Sequence, residues 1–219
     1  MRTMRTALML VVGGMLAACG KERQLPSARQ GPVPGTNDWK IAKALSAGPD
    51  AVGASAAVAD WPESDTAQFV VLRPGLRGWT CFPDNPLTPR PDPMCADDQF
   101  LRWLTAWRAH APSPGVSGMA VGYAFQGTEV ASESDPRKAK PDSGQAWLDL
   151  PPSVLIAMPS QESYRGLPTK RGPSGPWVLW AGTPYALIVV PAAPAVPATA
   201  MLAQPASSPQ GGRNESAKR

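Results

Sequence analysis

The strongest hydrophobic pattern in the chain lies between residues 97 and 110. Four large apolar side chains recur there at positions i, i+3, i+4 and i+7: Phe100, Trp103, Leu104 and Trp107. Residues at this spacing share one face of an α-helix. Asp97 stands where an N-cap would be, and Pro112 ends the pattern. The pattern predicts one main amphipathic helix.

Runs of β-branched and aromatic residues on either side of this segment predict strands. The predicted strands cover residues 56–61, 68–73, 78–82, 117–126, 153–158, 177–180 and 185–190. Turn-forming residues at 74–77 and at 181–184 predict two hairpins, each joining the strands beside it.

The remaining segments complete the predicted fold. Residues 38–46 and 161–166 are expected to form short helices, and residues 127–145 a long charged loop. With one main helix and five to seven strands, the fold class is α+β. We expect a single small domain with a mostly antiparallel sheet.

The start of the chain is typical of a bacterial lipoprotein signal peptide. Arg2 and Arg5 precede an apolar run that is too short to span a bilayer. Residues 16–19 read LAAC and resemble a lipobox, which predicts signal cleavage and lipidation of Cys19. The alternative is an ordinary signal peptide with an incidental cysteine. Gly20 after Cys19, by resemblance to enterobacterial lipoproteins, favours the outer membrane, facing the periplasm.

Composition divides the chain into four parts. Residues 1–19 are the signal peptide, and residues 20–37 are polar and predict a flexible tether. Residues 38–190 are long enough for one domain. Residues 191–219 are rich in Pro and Ala, and we expect them to be disordered.

Two cysteines remain once Cys19 is assigned to lipidation. In an oxidising compartment, Cys81 and Cys95 are expected to form a disulfide. The closed loop of about fifteen residues would contribute roughly 3 kcal/mol in the loop-entropy model. Five prolines inside the loop disfavour regular structure there.

The net charge of +4 is concentrated in the flanks of the chain. Residues 38–190 contain 13 Lys and Arg against 15 Asp and Glu, so the domain itself is slightly acidic. A nucleic-acid-binding domain would carry a basic surface on the fold. We therefore expect no nucleic-acid partner.

Residues for several kinds of chemistry are too few or wrongly spaced. His110 is the only histidine, and neither a G-x-S-x-G motif, a P-loop nor a dinucleotide-binding motif is present. Acidic residues crowd the cysteine loop without EF-hand spacing. We therefore predict no metal, no cofactor and no catalytic residue. The alternative is a hydrolase that uses carboxylates such as Asp92, Asp97 or Asp98.

Eight tryptophans are many for a chain that is 7% aromatic. Strand alternation would turn some of them outward, and exposed tryptophans bind sugars or peptides. The predicted binding surface therefore combines Trp79, Trp177 and Trp180 with Asp92 of the cysteine loop. The alternative is that these large side chains fill the core.

Four motifs together resemble a family of exported bacterial proteins. They are DWP at residues 60–62, GWTC at 78–81, DPMC at 92–95 and GTPYA at 182–186. The resemblance extends over about residues 40–191 and implies a shared architecture and export, without a particular chemistry. Members of that family continue GTPYA with a histidine, whereas this chain has Leu187.

These observations favour a lipid-anchored envelope protein with a non-catalytic binding or interaction module. Its expected partners are the membrane, through the lipid, and an envelope protein or glycan. Two alternatives remain: an envelope hydrolase using Asp or Glu carboxylates, and a structural envelope protein without a ligand.

Overall fold

The computed structural model describes residues 31–76, 78–172 and 175–192. The helices are Asn37–Leu45 (α1), Asp50–Gly53 (α2) and Asp98–Arg108 (α3), with a 3₁₀-helix at Gln161–Tyr164. The strands are Ala57–Asp60 (β1), Val70–Arg73 (β2), Trp79–Phe82 (β3), Met94–Asp97 (β4), Ala120–Ala124 (β5), Thr128–Val130 (β6), Leu148–Leu150 (β7), Ser153–Ala157 (β8), Trp177–Leu179 (β9) and Leu187–Pro191 (β10).

Eight strands form one sheet in the order β2-β1-β3-β4-β5-β8-β10-β9, and β6 pairs with β7 in a separate hairpin. All pairings are antiparallel except that between β1 and β3. The predicted α+β class with a mostly antiparallel sheet is confirmed. The described residues contain ten strands, more than the five to seven expected.

The predicted hairpin between β2 and β3 is wrong, because β1 lies between these two strands. The segment after β2 crosses the beginning of β1 instead of turning back. A Cβ atom on Gly75 would lie 2.1 Å from the backbone nitrogen of Ala57, and the Leu76 amide donates to the Ser55 carbonyl. Glycine is therefore required for a close backbone approach rather than for a tight turn. The second predicted hairpin, β9–β10, is correct.

Alternating side chains of the main sheet enter cores on opposite faces. On one face, Val58, Cys81 and Cys95 pack against α1 through buried Ala44. On the other face, Phe82 and Ala96 pack with side chains of α3. The sheet is thus covered by α1 on one side and by α3 on the other.

The amphipathic helix α3 has its predicted face and cap. Phe100, Trp103 and Leu104 are buried. An Asp97 carboxylate oxygen accepts a hydrogen bond from the Phe100 amide at 2.6 Å, and the other accepts from the Val121 amide at 3.0 Å. Asp97 therefore fastens the start of α3 to strand β5 as well as capping the helix.

Four short elements were not predicted from the sequence: α2, β4, β6 and β7. Strand β6 lies inside the expected loop of residues 127–145, so that prediction is wrong at its beginning. Each of these elements has only three or four residues, which is too short for periodicity to distinguish.

The predicted signal peptide, the lipidated Cys19 and residues 193–219 of the predicted tail lie outside the described residues. Within the described ranges, no helix combines the length and apolar character needed to cross a membrane.

Candidate functional site

The disulfide between Cys81 and Cys95 joins directly opposite residues of β3 and β4. Both cysteines are fully buried beneath α1, and the Cys95 sulfur lies 3.7 Å from the Ala44 carbonyl oxygen. The predicted pairing is confirmed. The bond closes the base of a proline-rich loop, residues 83–93, which we call the disulfide loop.

The tryptophans do not form the predicted outward surface. All eight are buried or half-buried. Trp177 and Trp180 are only 2% and 7% exposed, so their prediction as exposed contact residues is wrong. They belong to the core that α3 covers, where Trp180 stacks on Trp103 at 6.2 Å.

Trp79 is half-buried on the opposite face of the sheet. Its ring stacks on Tyr123 at 5.0 Å, within the core beneath α1. The three tryptophans and Asp92 are therefore not brought together into one site.

Asp92 is a buried carboxylate that ties the disulfide loop to strand β6. It is 6% exposed, accepts a hydrogen bond from the Asn85 amide at 2.9 Å and a second from the Thr128 hydroxyl at 3.2 Å. Burial raises its pKa to about 6, and the nearby Asp84 charge acts in the same direction. Asp92 is thus a structural link with an unusually high pKa.

A surface cavity of about 290 Å³ lies between the disulfide loop and the β6–β7 hairpin, and we call it the loop cleft. Its lining residues are Arg90, Pro91, Gln126, Gly127, Thr128, Glu129, Asp149, Leu150, Pro151, Pro152 and Arg171. Thr128, one of these lining residues, donates a hydrogen bond to Asp92 of the disulfide loop. The cleft therefore depends on a loop whose base is closed by a disulfide and which Asp92 links to strand β6.

Charges of both signs meet in the loop cleft. Glu129 and Asp149 are directly opposite in the β6–β7 pairing, an arrangement in which like charges repel. The Arg90 guanidinium reduces this repulsion, because its Nη1 contacts both Asp149 carboxylate oxygens at 2.5 and 2.6 Å. Its Nε lies 3.9 Å from Glu129 Oε1. Arg90 therefore links the disulfide loop to both strands of the hairpin.

The two carboxylates differ sharply in their exposure. The Asp149 side chain is 62% exposed, whereas that of Glu129 is only 7% exposed. Glu129 Oε2 is buried and has no hydrogen-bond partner among the described residues. A buried carboxylate oxygen normally has a donor, so this atom is the most unusual polar group in the cleft.

Arg171 contributes a second guanidinium. Its Nη1 donates to the Asp149 backbone carbonyl at 2.8 Å, and the group lies 5.6 Å from the centre of the Trp177 ring. Asp149 therefore positions both arginines, one through its side chain and one through its backbone.

The other candidate residues lie elsewhere. Asp97 caps α3, and Asp98 is exposed on the first turn of that helix. His110 is at the far end of α3, with Nε2 3.6 Å from an Asp65 oxygen. Among the described residues, no group of three or more His, Cys, Asp or Glu side chains is arranged to hold a metal.

Sequence reasoning missed Arg90, Glu129, Asp149 and Arg171. A signal was present in the alternating triplets TEV and LDL, residues 128–130 and 148–150, each with an acidic residue between two that could face inward. The pairing of these triplets across a long connection could not be read from the sequence. No protein-family model, curated protein or solved structure matches the chain.

Proposed function

We propose that the chain is a non-catalytic binding module whose contact surface is the loop cleft. The observation that carries the proposal is the buried Glu129 carboxylate oxygen, which has no donor in the part of the chain that the structure describes, in a cavity that two guanidinium groups also line. Binding sites combine concave shape with a few convergent polar groups. A ligand that donates to Glu129 would supply the missing hydrogen bond.

The module belongs, in this proposal, to a lipid-anchored protein of the bacterial envelope, with the domain on the periplasmic side of the outer membrane. The support is the lipobox-like sequence before Cys19 and the buried Cys81–Cys95 disulfide, since disulfides persist in oxidising compartments. The ligand is then a soluble component of the envelope, and peptides and glycan fragments are the first candidates.

Recovery of bound compounds tests this function. The full chain is extracted from membranes in detergent, incubated with a small-molecule extract of the bacterial envelope, and the retained compounds are identified by mass spectrometry. Arg171→Gln removes one cleft guanidinium, whereas Arg165→Gln removes an exposed arginine that pairs with Glu162 elsewhere. We expect Arg171→Gln to lose compounds that both the wild type and Arg165→Gln retain. Identical retention by all three proteins would refute the proposal.

A carboxylate hydrolase is the second candidate, because Glu129 and Asp149 are paired across the hairpin. Arg90 argues against it, because its guanidinium already contacts both oxygens of the more exposed carboxylate, whereas a catalytic carboxylate must be within hydrogen-bond reach of the substrate. The same experiment separates the two functions. Hydrolysis predicts that retained compounds are cleaved over time by the wild type and remain intact with Glu129→Gln.

A further inference from the structure

The loop cleft contains a binding position for a positively charged group at Glu129. One oxygen of this carboxylate lies 3.9 Å from Arg90 Nε, and the other is buried with no hydrogen-bond donor among residues 31–76, 78–172 and 175–192. Leaving such an oxygen unsatisfied is unfavourable. An ammonium group carries three N–H donors and a charge opposite to that of the carboxylate. The unsatisfied oxygen therefore indicates an ammonium-bearing ligand.

The same cleft contains a binding position for a negatively charged group at Arg171. A guanidinium has five N–H donors, and one of them is used in the hydrogen bond to the Asp149 carbonyl. That bond and the Trp177 ring orient the exposed group. A planar guanidinium pairs well with a carboxylate, because two parallel hydrogen bonds can form.

We infer that the loop cleft binds a small zwitterion of the peptide type, with its ammonium group at Glu129 and its carboxylate at Arg171. This inference rests on the proposed binding function. Pro91, Leu150, Pro151 and Pro152 supply apolar walls for the carbon chain between the two charges. The cavity of about 290 Å³ accommodates a ligand of the size of a dipeptide.

Arg90 lies beside the carboxylate that the ammonium group would approach, with its Nε 3.9 Å from Glu129 Oε1. The Arg90 side chain is 58% exposed and its partner Asp149 is 62% exposed. Exposed ion pairs contribute little net stability, and long side chains change rotamer readily. In this inference the ammonium group of the ligand takes the position next to Glu129 that Arg90 occupies, and Arg90 keeps its contact with Asp149 or turns to solvent.

Three forms of one ligand test the cation position at Glu129 and the anion position at Arg171 separately. Alanyl-alanine has both charges, its N-acetyl derivative lacks the ammonium group, and its methyl ester lacks the carboxylate. Titration calorimetry with the full chain should show that each blocked form binds at least tenfold more weakly than alanyl-alanine. Equal binding of the three forms, or no binding of alanyl-alanine, would overturn the inference.

Variants assign each charge to its residue. Glu129→Gln should abolish the preference for alanyl-alanine over the N-acetyl form and leave the preference over the ester. Arg171→Gln should do the reverse. Glu162→Gln and Arg165→Gln, which alter an exposed pair on and after the 3₁₀-helix, should change neither preference. If Glu129→Gln does not fold, the Arg171→Gln result decides, because Arg171 is exposed.

The two proposals fail in different ways. If alanyl-alanine does not bind but Arg171→Gln still loses envelope compounds, the cleft is a binding site and the zwitterion class is wrong. If Arg171→Gln loses neither ligand nor compounds, the binding function itself is wrong.

Discussion

Asp92 is a carboxylate in an environment unlike that of a surface side chain, because it is only 6% exposed. A carboxylate in water has a pKa near 3.8, and burial in this fold raises it to about 6. The folded protein therefore binds a proton that the unfolded chain releases, over the range between these two values. The contribution of this group to stability is complete below about pH 4 and is lost as the pH rises through about 6.

Asp92→Asn should remove this dependence on pH. This difference in pKa between the folded and unfolded states changes the free energy of unfolding by on the order of 3 kcal/mol across the pH range. The variant should therefore be at least as stable as the wild type at pH 8 and similar to it at pH 4. Urea unfolding between pH 4 and 8 measures the effect. Asp98→Asn, at an exposed position, serves as the control and should show the same change of unfolding free energy with pH as the wild type. If the unfolding free energy of Asp92→Asn changes with pH as steeply as that of the wild type, Asp92 is not the source of the pH dependence.

Gly75 provides a second prediction at the same scale. Any Cβ there would overlap the backbone at Ala56 and Ala57, and backbone cannot rotate away as a side chain can. Gly75→Ala should destabilise the fold by roughly 3 kcal/mol. The control is Gly118→Ala, since a Cβ at that position has no described atom within 4 Å apart from those of its two chain neighbours. Equal denaturant midpoints for the two variants would contradict the close approach of the segment after β2 to the beginning of β1.

At the scale of single elements, α3 depends on a cap that also reaches the sheet. Asp97 accepts from the Phe100 amide and from the Val121 amide. Asp97→Ala leaves both donors unpaired and should cost about 2 kcal/mol, more than the roughly 1 kcal/mol typical of a cap alone. Asp98→Ala, one residue later and exposed, should cost less than half as much. Thermal unfolding followed by circular dichroism distinguishes the two variants.

The β3–β4 hairpin depends on its disulfide in a related way. The Cys81→Ala, Cys95→Ala double variant should lose about 3 kcal/mol, because the unfolded chain is no longer constrained. Dithiothreitol should destabilise the wild type and have no effect on the double variant. Because the loop cleft is built partly on the disulfide loop, alanyl-alanine should also bind more weakly to the double variant. Unchanged stability would mean that the core beneath α1 holds the hairpin without the bond.

At the scale of the whole molecule, the domain is proposed to work at the end of a membrane tether. Acyl chains contribute about 0.8 kcal/mol for each buried CH₂ group, so several chains hold a protein stably at a bilayer. Cys19→Ala should move the protein from the membrane fraction to the soluble fraction. Cell fractionation with antibody detection measures this change. A variant that stays with the membranes would contradict lipidation at Cys19.

Features carried by local spacing were predictable from the sequence. The face of α3 follows from the positions of Phe100, Trp103 and Leu104, because helical periodicity is a property of neighbouring residues. The cap at Asp97 and the turn between β9 and β10 are local in the same sense. The pairing of Cys81 with Cys95 followed from their number and from the inferred compartment.

Features decided by distant segments were not predictable. The parallel pairing of β1 with β3 separates β2 from its neighbour in sequence, and no local signal distinguishes this order from a hairpin. The burial of Trp177 and Trp180 was not predictable either. Strand alternation alone is compatible with their exposure, and they are buried because α3 packs against that face of the sheet.

The amino-acid sequence by itself determined the fold class, the main helix and the disulfide, because each depends on composition or on short-range spacing. Only the tertiary structure brought Arg90, Glu129 and Asp149 together. These residues lie on the disulfide loop and on two short strands far apart in the chain, and their meeting depends on long-range pairing and on the buried link at Asp92. The candidate site and the short β6–β7 hairpin beneath it are therefore products of topology, whereas the main helix and the disulfide follow from local spacing and composition.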